Sequence, residues 1–155
     1  MKAVQAHHLA ATVSRTRLLL LDFDGPVCDI FAGYPAPRIA HELRELVAAQ
    51  GHPVAPALIN EQDPLQVLRV VARLYPDQLT RTVAEALRTA ELEAVETARP
   101  TPGATDVIEA ARCTGRQLSI VSNNSRPAVT AYLDAHGLTR FFDRIVGRYD
   151  GMDPA

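Results

Sequence analysis

Cysteine is scarce in this chain: Cys28 and Cys113 are the only two among 155 residues. They are too few and too far apart for a disulfide framework or a metal knot, and read as buried thiols of a reducing compartment. Net charge is also small, at a formal −2. With no basic stretch interleaved with aromatics, nothing marks a nucleic-acid surface. Long apolar runs are missing too: Leu18–Leu21 falls far short of the ~20 residues a membrane span needs, and Asp22 cuts it off. Residues 1–16 lack the continuous apolar stretch of a secretory signal, and His7 and His8 within them read as solvated, without a third ligand at useful spacing. There is no repeat or low-complexity tract. What remains is a globular chain long enough to bury a real core, expected in the cytoplasm.

The densest information lies in Leu18 to Cys28, Leu-Leu-Leu-Leu-Asp-Phe-Asp-Gly-Pro-Val-Cys. Four leucines without polar alternation predict a strand buried on both faces of a parallel sheet. Strand side chains alternate, so Asp22 and Asp24 point the same way as the chain leaves the sheet, and Phe23 turns back into packing. Ligands of open α/β sheets bind beyond the carboxyl ends of strands. Gly25 permits a turn and Pro26 stops ladder pairing. Two carboxylates this close repel each other, and a hard divalent cation such as magnesium resolves the conflict. The same run also fits an Asx-type turn after a buried strand.

A second apolar strand, Gln117 to Val121, ends in Ser122-Asn123-Asn124-Ser125. Ser125 is placed to cap the helix that follows, Pro127 suits its first turn and Gly137 its end. Free N–H groups at that helix start, with the Ser122 hydroxyl, suit a phosphate. By itself the segment also fits a polar loop and cap.

Together the two runs resemble the first and second signatures of the haloacid dehalogenase superfamily, in its phosphoglycolate phosphatase and beta-phosphoglucomutase-like branch. The likeness extends over about residues 17–153. Pro102-Gly103 leads into a helix to Arg112 that stops near Gly115, and Phe141 to Arg148 resembles the third core strand with its approach. The resemblance implies an α/β fold: a Rossmann-like parallel-sheet core of about three strands, residues 1–30 and 99–155, with an α-helical cap inserted as residues 31–98. It also implies a magnesium-dependent phosphohydrolase acting on a small phosphorylated metabolite. Asp22 is then the nucleophile that forms an aspartyl-phosphate. Asp24 is the acid and base, Asp22 and Asp24 hold Mg2+, the latter with its backbone carbonyl, and Ser122 with the Asn123 backbone binds the phosphoryl oxygens. A carboxylate at position 24 favours phosphoryl transfer over dehalogenation.

The superfamily also uses a lysine beyond the third strand and a later acidic motif. The only lysine here is Lys2, so no residue matches either, and the chain reads as a C-terminally incomplete copy. Arg148 offers positive charge near phosphate without a lysine's geometry. Asp150 and Asp153 read as a solvated turn. With later strands missing, the strand ending at Asp22 becomes an exposed edge through which copies can self-associate.

Between the motifs, Ile39, Leu43, Leu46 and Val47 share one helical face that Gly51 terminates. Asp63-Pro64 starts a second helix along Val67, Leu68, Val71 and Leu74. Asp77 is placed to cap a third, with Leu79, Val83, Leu87, Ala90 and Val95 in its stripe. Arg38, His41, Arg44 and His52 fit solvated helix positions better than a substrate-facing row, and Cys28 fits packing better than nucleophilic duty. A phosphate-binding protein without turnover is the alternative function. A receiver domain phosphorylated on aspartate does not accommodate helices inserted after Asp24.

Overall fold

The computed structural model describes residues 15–148. Lys2, His7, His8, Asp150 and Asp153 lie outside the described residues. Strands β1 (Leu18–Leu21), β4 (Gln117–Ser125) and β5 (Arg144–Arg148) form a parallel sheet in the order β1-β4-β5. A two-stranded antiparallel ribbon, β2 (Cys28–Asp29) with β3 (Arg99–Pro100), marks where the chain leaves the sheet layer and returns. Helices α1 (Ala36–Ala49), α2 (Pro64–Leu74) and α3 (Asp77–Val95) fill the interval between the ribbon strands, while α4 (Ala104–Cys113) and α5 (Arg126–Ala135) connect β3 to β4 and β4 to β5. The expected α/β class and parallel sheet are therefore present.

Two apolar clusters hold these layers. One joins Phe23, Leu118 and Ile120 of the sheet region to Ile108 of α4 and Val129, Tyr132 and Leu133 of α5. The other lies among the inserted helices and contains Ile39, Leu43, Val47, Val67, Val71, Leu79, Val83 and Leu87, the stripes that helical periodicity marks. The Asp63 carboxylate accepts the Leu65 N–H at 2.8 Å and so caps α2. Gly51, at φ +78°, follows α1 in a left-handed conformation suited to glycine.

Five local expectations are corrected. Cys113 is exposed rather than buried, and Leu74, expected on the apolar face of α2, is 60% exposed. Leu18 and Leu20 are 45% and 62% exposed. The parallel register puts Leu19 and Leu21 on the face of Leu118 and Ile120, which α4 and α5 cover. A β-strand divides its side chains between two faces, and the face of Leu18, Leu20 and Val121 carries no helix among the described residues. Asp77 is the first residue of α3, with Pro76 at the N-cap. Ser125 stands at the N-cap of α5, but its hydroxyl makes no capping bond and is buried without a partner among the described residues.

Candidate active site

The carboxyl ends of β1 and β4 open onto a cavity of about 590 Å³, within the range of small-molecule sites. Asp22, Asp24, Ser122, Asn123, Asn124 and Arg148 line its sheet side, and Phe31, Ala36, Pro37, Asp63, Leu87 and Glu91 belong to its other side. All four sequence-derived site residues therefore face one space, whereas Arg38, His41, Arg44 and His52 do not line it. Arg38 pairs with Glu42, Arg44 binds the Leu58 and Ile59 carbonyls and His41 Nδ1, and His52 packs on Tyr75.

Alternation along the strand end brings the two acids into the cavity. Phe23, between them, is fully buried and packs edge-on against Tyr132. Gly25 then takes φ +100°, and its N–H donates to the Cys28 carbonyl at 2.7 Å, folding the chain back beneath the acids. One Asp22 oxygen accepts the Phe23 N–H at 2.6 Å, and one Asp24 oxygen accepts the Ile30 N–H at 3.2 Å. Desolvation raises the Asp24 pKa. The Ile30 hydrogen bond opposes that shift, and the charges of Asp29 and Asp22 add to it. Cys28, fully buried nearby, is pushed up to about 12 by desolvation and by Asp24 and Asp29, so its thiol stays protonated and serves packing.

At the second strand end, β4 takes four residues from Val121 to Ser125 while β5 takes two from Val146 to Arg148. This bulge frees Ser122–Asn124 from the ladder and turns them to the cavity. The Ser122 hydroxyl donates to Asn124 Oδ1 at 3.1 Å and accepts the Asn124 N–H at 3.2 Å. Gly147 lies flush against the bulge, where a Cβ would sit 2.6 Å from the Arg126 nitrogen and 2.8 Å from the Asn124 carbonyl oxygen.

Two features qualify the sequence reading. Arg148 does not present a free charge: its guanidinium spans both oxygens of Glu91, at 2.9 and 2.8 Å. Glu91, on α3 and only 2% exposed, is the residue the sequence reading missed. Its signal was there: Val83, Leu87 and Glu91 are spaced by four, so a charge sits on the apolar stripe and needs a buried partner. No group of three or more His, Cys, Asp or Glu side chains converges to hold a metal among the described residues. Asp22 and Asp24 nevertheless form the hard, mutually repelling oxygen donor set that a divalent cation fits.

A parallel α/β sheet with two acids at the end of one strand, a bulged Ser-Asn-Asn loop at the end of the next and helices inserted between them defines a Rossmann-type protein with a polar cleft at its strand ends. The sequence pattern of haloacid dehalogenase-like hydrolases matches residues 16–151. The chain belongs to that family. No curated protein matches it significantly. Similar solved structures include CbbY from Rhodobacter sphaeroides in complex with phosphate (18% identity, TM-score 0.59, covering 85% of this chain and 63% of that one). Others are a predicted phosphatase from Clostridium acetobutylicum (14%, 0.59, 85% and 61%) and the haloacid dehalogenase-like protein SP0104 from Streptococcus pneumoniae (14%, 0.55, 88% and 63%). They share the fold, and the chain spans less than two thirds of the length of each. No helix among the described residues is long and apolar enough to cross a membrane.

Proposed function

We propose that the chain carries the site of a magnesium-dependent phosphatase that hydrolyses a small phosphomonoester, with α1–α3 as a cap over the substrate. The observation that carries this reading is that Asp22, Asp24, Ser122 and Asn123, delivered by two strand ends, line one cavity.

Asp22 attacks phosphorus and forms an aspartyl-phosphate, which divides one hard displacement into two easier ones. Asp24 protonates the leaving oxygen and then takes a proton from the attacking water. Its raised pKa helps it hold the proton for the first step. The Ser122 hydroxyl and the Asn123 backbone hold the phosphoryl oxygens. The Asp22 carboxylate and the Asp24 backbone carbonyl would hold a magnesium ion, which would supply the positive charge that lets a carboxylate approach a phosphate dianion. The cavity volume, family membership and the phosphate recorded with the CbbY structure support a phosphorylated small molecule as ligand.

The test is magnesium-dependent phosphate release from an aryl phosphate by the 155-residue chain, alongside Asp22→Asn. Release by the wild type that Asp22→Asn abolishes is the expected result. A folded wild type that binds inorganic phosphate and releases none would replace the enzyme with the binding-only alternative.

A further inference from the structure

We infer that Glu91 and Arg148 are positioning residues: a buried ion pair that tethers α3 to the end of β5 and fixes the orientation of the Ser122–Asn124 loop. The inference rests on the phosphate-site reading above and assigns the pair no contact with substrate.

The linkage is traced atom by atom. Arg148 Nη1 donates to one Glu91 oxygen at 2.9 Å and to the Asn123 carbonyl at 2.9 Å, while Nη2 donates to the other Glu91 oxygen at 2.8 Å. That second oxygen also accepts the Ser125 N–H at 2.9 Å. The loop is thus gripped on both sides of Asn124, at the Asn123 carbonyl and the Ser125 amide. A peptide unit is planar and trans, so pinning the Asn123 carbonyl aims the Asn124 N–H the opposite way. That N–H donates to Ser122 Oγ. The orientation of the Ser122 hydroxyl is therefore set from Glu91 through one rigid plane.

The geometry also argues against a direct ligand role. Both Glu91 oxygens are engaged and its side chain is only 3% exposed, against 19% for Arg148. A fork-shaped guanidinium satisfies two carboxylate oxygens and a carbonyl together, which an ammonium does not.

Arg148→Lys keeps the positive charge and loses the fork, and Glu91→Gln keeps the shape and loses the charge. Each variant is expected to bind inorganic phosphate about tenfold more weakly, the scale of one lost charged hydrogen bond. Hydrogen exchange read residue by residue should accelerate at the Asn124 and Ser125 amides in both, with the α2 amides unchanged. A general loss of stability would accelerate both sets, and would overturn the inference. So would unchanged affinity in Arg148→Lys, which would mean that charge alone suffices, or tighter phosphate binding by Glu91→Gln, which would make Glu91 a competitor of the ligand. Should neither variant fold, the wild type decides: Asn124 and Ser125 amides that exchange as fast as open loop refute the tether. Should the wild type bind no phosphate, the functional reading fails, and the amide exchange still tests the tether.

Discussion

Asp24 holds its place against its own electrostatics. Its raised pKa, caused first by desolvation and then by Asp29 and Asp22 against the Ile30 hydrogen bond, means that the folded chain binds the Asp24 proton more tightly than the unfolded chain does. The associated stability is full below the ordinary aspartate value and is lost as pH rises through the raised one. At neutral pH the ionised side chain is therefore a cost. Asp24→Asn, which keeps an acceptor for Ile30, should raise the melting temperature at pH 7 by about 1–2 °C, a small gain because one side of Asp24 is open to water. The gain should shrink as pH falls toward 4. A lower melting temperature at pH 7 would show that the ionised side chain is not a net cost to the fold. Cys28 responds to the same surroundings: burial first, and then the charges of Asp24 and Asp29, keep its thiol protonated beneath the acids.

Among the elements, β5 fits closely against its neighbours at Gly147. Gly147 takes no unusual dihedral; it is needed because the backbone of Arg126 and Asn124 occupies the space of a side chain. Gly147→Ala should cost about 1–3 kcal/mol in denaturant unfolding, the range for overpacking against atoms that cannot turn aside, and should weaken phosphate binding by displacing the bulge. An unchanged midpoint would mean that the bulge shifts freely. Much of this level was legible from the residues. The stripes of α1–α3 follow the helical period, and Asp63-Pro64 marks the start of α2 because its carboxylate has one local N–H to take. The leucine run misled because an unbroken apolar strand can lie over a helix layer on one face and none on the other. Ser125 misled because its hydroxyl accepts no N–H of the first turn of α5, while its own N–H is held by a distant carboxylate, Glu91. Local pattern foresees contacts a few residues apart, and Glu91 and Ser125 are 34 residues apart, with β3 and all of α4 between them.

At the scale of the whole molecule, the sheet has an unpaired edge at β1 and an apolar face at Leu18, Leu20 and Val121 among the described residues. Unpaired strand backbone and exposed leucines favour association between copies. Sedimentation of the 155-residue chain should show species heavier than the monomer that grow with concentration, and Leu20→Lys should reduce them. A monodisperse wild type would dismiss self-association at this surface. The long helix α3, about 28 Å from end to end, serves both clusters: Leu79, Val83 and Leu87 pack among the inserted helices, and Ala94 packs with the sheet layer. That shared helix sets the terms for building chimeras with relatives. The β2–β3 ribbon looks like the natural seam, since Cys28 lies beside Pro100 and Asp29 beside Arg99, yet a graft joined there would carry away Glu91 and Ala94 with the foreign helices. A graft that respects the packing would join its C-terminal boundary within α3, between Leu87 and Glu91, so that the recipient keeps its own tether while receiving a new roof.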